Sequence, residues 1–286
     1  MSANYPTKLA EYFELPHSFA ACVKTGAAIV RQITIHTKLI LESRAITLIL
    51  FRIIPTKTYR TASLAVLLWG LILPLQLQAS AVAVREYREA EQRPRLAELQ
   101  AEFGHNKQLP PGFELQTLLA LSHFPALKEV RIRFIVDDVN IPLSSRPHWA
   151  SMLRSASKRT YLVVIDSHRE GGREALLLKN QPFNAQVGII GHELAHTVYY
   201  LERSFFGIAA DALCQLSSCR VQFERETDQR LVQYGLGWQR YDHALYVRSE
   251  LLGSSEAALT TEGGGGAYMS PVEIRQLMES HAAYAD

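Results

Sequence analysis

An α+β fold is expected: a small mixed β-sheet packed on one long helix, followed by a mostly helical C-terminal part. Three observations predict it. Val130, Ile132, Phe134 and Val136 alternate with Arg131 and Arg133, the period of a half-buried strand. Tyr161 to Ile165 and Ala175 to Leu178 are short apolar runs, read as a central strand and a third strand. From Val187 to Leu201 the apolar residues recur at helical spacing, and helix signals dominate from there on.

The chain has 286 residues, enough for one large domain or two small ones. Its net charge of +2, with scattered basic residues, gives no footprint for nucleic acid. Residues 1–84 read as an N-terminal extension and 85–286 as the folded domain. No charged residue lies between Arg60 and Arg85, and 61–84 includes the apolar run Leu64 to Leu75. This segment reads either as a transmembrane anchor or as a signal peptide, with Lys57 and Arg60 before it and Ala79-Ser80-Ala81 as a cleavage site. Nearly 60 residues precede it, unusual for a signal peptide, and Met1 is their only methionine, which suggests a downstream start codon. Either way, the basic residues Arg52, Lys57 and Arg60 put the C-terminal part outside the cytoplasm, periplasmic or anchored to the inner membrane.

In the domain, Arg85 to Phe103 reads as a surface helix interrupted by Pro94. Pro110-Pro111-Gly112 is a break, and Phe113 to Leu121 a short helix. The strand at 130–136 follows, then a helix over Trp149 to Ser157. Gly171-Gly172 marks a turn between the second and third strands, and Gly263 to Gly266 a loop. Ser270-Pro271-Val272-Glu273 carries a capping box with proline at the first helical position, so a last helix begins there. Cys214 and Cys219 are near enough in sequence for a local disulfide, or are two small buried residues. No C-x-x-C motif is present, which argues against a thiolate metal site.

The chemistry lies in Gly191-His192-Glu193-Leu194-Ala195-His196, an H-E-x-x-H sequence. Residues four apart on a helix share a face, so His192 and His196 can offer their rings to one zinc ion. Glu193, rotated by roughly 100°, sits beside the metal as a general base. Val187, Ile190, Leu194, Val198 and Leu201 fall on the opposite side, leaving the histidine face to line a cleft. Gly188 and Gly191 would leave room for a ligand, and Asn184 would cap the helix.

Catalytic zinc usually takes a third protein ligand. A histidine six residues after His196 is ruled out, since that position holds Glu202, and Tyr199 stands where a glycine would precede it. Downstream, Glu224 and Asp228 are four apart on a stretch that reads as a helix. Glu224 is expected as the ligand and Asp228 as the carboxylate that orients His192 or His196, with Asp228, Glu226 and Glu202 as rivals for the ligand role.

H-E-x-x-H followed on a later helix by E-x-x-x-D resembles the gluzincin metallopeptidases, and the likeness covers His192 to Asp228. It implies a single Zn²⁺ held by His192, His196 and Glu224, Glu193 as general base, and a peptide or protein substrate. Tyr241, His243 and Tyr268 are open candidates for oxyanion stabilisation. The segment Glu174 to Asn180 would bind extended substrate by strand addition. The insert Ser204 to Arg220 would form a lid or cleft wall. The competing expectation is a non-catalytic, membrane-tethered zinc module whose site is closed by a fourth protein ligand, His243 or Glu202.

Overall fold

A computed structural model describes residues 83–139, 141–169, 173–215, 219–260 and 267–285. The apolar segment 61–84 lies almost wholly outside them, as do the turn at Gly171-Gly172 and the loop at Gly263 to Gly266. Among the described residues, no helix is long and apolar enough to cross a membrane.

The fold is mixed α+β with a helical C-terminal part, as the patterning predicts. It opens with α1 (Glu89–Gln92), a 3₁₀ turn at Arg93–Arg95 where Pro94 interrupts, and α2 (Leu96–Phe103). Then come β1 (Lys107–Gln108), α3 (Glu114–Leu121), β2 (Arg131–Asp137), β3 (Leu143–Pro147) and β4 (Thr160–Asp166). The sheet order is β1-β2-β4-β3, parallel except for β3, which runs antiparallel to β4. β2 alternates as expected through Phe134, with Ile132 and Phe134 buried and Arg131 and Arg133 exposed, but Val136, expected on the buried side, is exposed near the strand's end. β4 is central and buried from Tyr161 to Asp166, which is why its sequence is a continuous apolar run.

The helical half comprises α4 (Phe183–Leu201), α5 (Phe205–Gln215), α6 (Cys219–Gln233), α7 (Gly237–Leu252), α8 (Ser255–Thr260) and α9 (Pro271–Glu279). One core joins Ile132, Phe134, Val163 and Ile165 of the sheet to Leu118 and Leu119 of α3 and Ile190 and Leu194 of α4. A smaller one joins Val232, Ala244, Met269, Ile274 and Met278, from α6, α7 and the α9 region. The predicted capping box is formed: Ser270 Oγ accepts from the Glu273 N–H, and Glu273 Oε2 accepts from the Ser270 N–H. Cys214 and Cys219 are joined in a disulfide between α5 and the first residue of α6.

Five local expectations are overturned. The helix over Trp149 to Ser157 is instead two 3₁₀ turns, Trp149–Ser151 and Ala156–Lys158. The Arg159 guanidinium binds the carbonyls of Met152 and Arg154, which a continuous helix would need as acceptors. The strand over Ala175 to Leu178 is also a pair of 3₁₀ turns, Glu174–Leu176 and Leu178–Asn180. Its carbonyls are taken by amide side chains: Asn180 donates to Glu174 O, Gln181 to Leu176 O and Gln186 to Leu178 O. This segment therefore has no ladder to offer a substrate. The leucines there are apolar because Leu177 and Leu178 are buried.

Asn184 does not cap α4; Pro182 holds that position. The Asn184 amide instead accepts from the Tyr87 N–H and the Gln239 side chain and donates to Asp242, tying the entry segment to α7. Nor does α4 keep one face in a cleft, for both faces are buried from Asn184 to Val198. Gly188 and Gly191 make room for other helices rather than for a ligand. A β-carbon on Gly188 would run into the Gln239 carbonyl and stand 2.9 Å from Arg240 N; one on Gly191 would stand 2.7 Å from Leu236 Cδ1. Gly188→Ala should therefore cost about 3 kcal/mol, the upper end for overpacking, because the obstacle is backbone. Urea unfolding measures it, and a loss under about 1 kcal/mol would contradict this close crossing of α4 and α7.

Candidate metal centre

α4 and α6 build the centre together. A helical turn separates His192 from His196, and their rings lie 4.8 Å apart between centroids at 86°. His192, Glu193 and His196 are all buried, and their ligand-type atoms lie within 4.8 Å of one another. This group could hold a metal ion.

Glu224 enters from α6 and approaches both rings at once. Its Oε2 is 3.1 Å from His192 Nε2 and 3.2 Å from His196 Nε2. Ligand atoms each about 2.0–2.1 Å from one tetrahedral zinc lie about 3.3 Å apart, so this spacing fits a shared ion. Three carboxylates lie near the rings: Glu224 within 3.2 Å of both Nε2 atoms, Glu193 in the group whose ligand atoms lie within 4.8 Å of one another, and Asp228 on His192 Nδ1. The other carboxylates fall elsewhere. Glu202 is exposed at the C-cap of α4, and Glu226 is exposed and accepts from Gln222.

The far nitrogens of both rings are fixed. Asp228 Oδ1 accepts from His192 Nδ1 at 2.8 Å. Thr227 donates its hydroxyl hydrogen to the Phe223 carbonyl, so its oxygen, 3.2 Å from His196 Nδ1, serves as acceptor. With a hydrogen on each Nδ1, each Nε2 turns a lone pair toward the Glu224 carboxylate. Two lone pairs and an anionic oxygen at such distances repel unless a metal ion, or a proton on each Nε2, lies among them. Imidazole and carboxylate are donors that first-row divalent metals accept.

Without a metal ion, protons on the rings take the place of that cation. Burial pushes the His192 ring down, but Asp228 and Glu224 outweigh it and hold the ring up at about 9. Burial pushes Glu224 up, yet hydrogen bonds from both rings hold it far below the usual carboxylate range. Asp228 is likewise lowered against its burial, chiefly by the Arg240 charge. Glu193 moves the other way: burial raises its proton affinity.

Sequence reading missed several residues here. Arg240, from α7, is 2% exposed and binds both oxygens of Asp228. Thr227 orients His196, Phe223 stacks on the His196 ring with centroids 4.8 Å apart, and the Met269 N–H donates to Asp228 Oδ2. No periodicity marks these, because their roles arise from the crossing of α4, α6 and α7.

The three oxyanion candidates separate. Tyr268 lies against His192, centroids 5.6 Å apart. Its hydroxyl is held protonated by burial and by the Glu224 and Glu193 charges, although the residue as a whole is 39% exposed. Tyr241 packs on Trp238. His243 is buried with Nδ1 on Gln181 Oε1, and burial pushes its ring well down.

No family model matches the chain, and neither does any curated protein or solved structure.

Proposed function

We propose that the chain is a zinc-dependent peptidase, active outside the cytoplasm, that hydrolyses peptide bonds with Glu193 as general base. One observation carries this reading: two imidazole Nε2 atoms converge on Glu224 Oε2, with the buried Glu193 carboxylate grouped beside the same two rings.

His192, His196 and Glu224 would hold the ion, and Asp228 would keep His192 turned toward it. When bound, zinc there supplies Lewis acidity for a substrate carbonyl and lowers the pKa of water toward about 7. Glu193, its proton affinity raised by burial, takes the proton of the attacking water and passes it to the leaving amine. The Tyr268 hydroxyl, still protonated at neutral pH, donates to the oxygen on which charge develops.

With Glu174 to Asn180 unable to pair, β3 is the better place for an extended substrate. It is the outer strand of the sheet beyond β4 and lies beside α4, where Ser145 Oγ is 2.8 Å from Thr197 Oγ1, next to His196. A peptide added to that edge would lie on the strand that contacts α4 at Thr197, the residue after His196. The Cys214–Cys219 disulfide supports an oxidising compartment, in keeping with the basic residues ahead of the apolar N-terminal segment. That segment would tether the enzyme to the membrane where it is not cleaved.

The test is metal analysis of the full chain together with turnover of a fluorogenic peptide library. One equivalent of zinc is expected, with cleavage lost on chelation and restored by zinc. A chain that takes up no zinc, or a zinc-loaded chain that cleaves no peptide, would overturn the proposal.

A further inference from the structure

We infer that Arg240 is a positioning residue for the metal centre, acting on His192 through Asp228. The inference rests on the proposal that His192, His196 and Glu224 hold zinc. Arg240 Nε donates to Asp228 Oδ1 at 2.6 Å, and Nη2 donates to Oδ2 at 3.3 Å. The same Oδ1 accepts from His192 Nδ1, and Oδ2 accepts from the Met269 N–H. A fork with one nitrogen on each oxygen fixes the plane of the carboxylate. The oxygen facing His192 therefore cannot rotate away, and the imidazole keeps its hydrogen on Nδ1 and its lone pair toward Glu224.

The pair is fully withdrawn from solvent, with side-chain exposures of 3% for Arg240 and 0% for Asp228. An anion so placed must be matched by a buried cation and by hydrogen bonds at its remaining lone pairs. Among the described residues, Arg240 is the arginine that meets this carboxylate. It reaches the site because Gly188 lets the α7 backbone close on α4 at Gln239 and Arg240. The guanidinium also lies under the Tyr268 ring, its Cζ 5.4 Å from the centroid, so one cation supports both the ligand histidine and the aromatic ring beside it.

The experiment is zinc affinity of the full chain, read by competition with a chromophoric chelator, with circular dichroism and thermal melting of each variant. Arg240→Met should weaken zinc binding by about 10–100-fold, the range for loss of a group that orients a ligand. Arg240→Lys, which keeps the charge but not the fork, should fall between Arg240→Met and the unaltered chain. In an Asp228→Asn background, Arg240→Met should change the affinity by less than about 3-fold, because the route through Asp228 is already gone. This double variant removes both buried charges, so it serves if Arg240→Met alone does not fold. An Arg240→Met chain with unchanged zinc affinity and a lower melting temperature would make Arg240 purely structural and overturn the inference. So would a full-sized loss in the Asp228→Asn background. Either result leaves the zinc proposal standing; an unaltered chain that binds no zinc overturns both.

Discussion

Glu193→Gln is expected to keep zinc at full occupancy and to lower kcat for peptide hydrolysis by about 10²–10⁴-fold, with KM little changed. Gln matches Glu in volume, and Glu193 is 5% exposed in a packed helix, so the exchange removes the base without opening a cavity. Zinc retention follows from the proposed ligand set, in which Glu224, its Oε2 within 3.2 Å of both Nε2 atoms, is the third ligand. The charge that disappears is the one whose proton affinity burial has raised, the direction a general base needs. Metal content and single-turnover kinetics on the same preparation check both halves of the expectation. If the variant cleaves as fast as the unaltered chain, Glu193 is not the base. If it loses zinc, Glu193 is a ligand and Glu224 needs another role.

The parts of this protein that were legible in its sequence are those whose information is periodic. β2 shows its alternation because one side faces the core and the other solvent. β4 shows a solid apolar run because both sides are covered. His192 and His196 show themselves by a four-residue spacing, as do Glu224 and Asp228, because each pair must share one face of a helix. What stayed hidden depends on contacts between elements. β3, Leu-Ser-Ser-Arg-Pro, has no alternation to read, since it is an outer strand held by pairing with β4. The leucines at 176–178 imitate a strand, but the amides of Asn180, Gln181 and Gln186 claim their carbonyls. Gly188 suggested an open cleft, whereas the α7 backbone fills it, and that contact delivers Arg240 to the site. A solitary arginine on a mixed helix carries no sign that it will be buried against an aspartate twelve residues earlier.

The largest effect on metal binding should come from Glu224→Ala. It removes the anionic oxygen on which both Nε2 atoms converge and leaves two neutral imidazoles as the remaining ligands. Loss of a group that only orients a ligand costs about 10–100-fold in affinity, so loss of the ligand itself should exceed about 100-fold. Thermal melting reads this without any substrate. A ligand at 1,000 times its Kd stabilises the folded state by about 4 kcal/mol. For a domain of this size that corresponds to a rise of about 8–16 °C in the melting temperature of the unaltered chain. Glu224→Ala at the same zinc concentration should show little or none of that rise. Its zinc-free form should also lose the pull that Glu224 exerts on His192, whose ring is held up by Asp228 first and by Glu224 as well. Asp228→Asn should behave differently, keeping part of the zinc-dependent rise, because Asp228 reaches the metal group only through His192 Nδ1. A Glu224→Ala chain that melts with the full zinc-dependent shift would show that the third ligand is another carboxylate, and the order in which α6 presents Glu224 and Asp228 to the two rings would have to be reassigned.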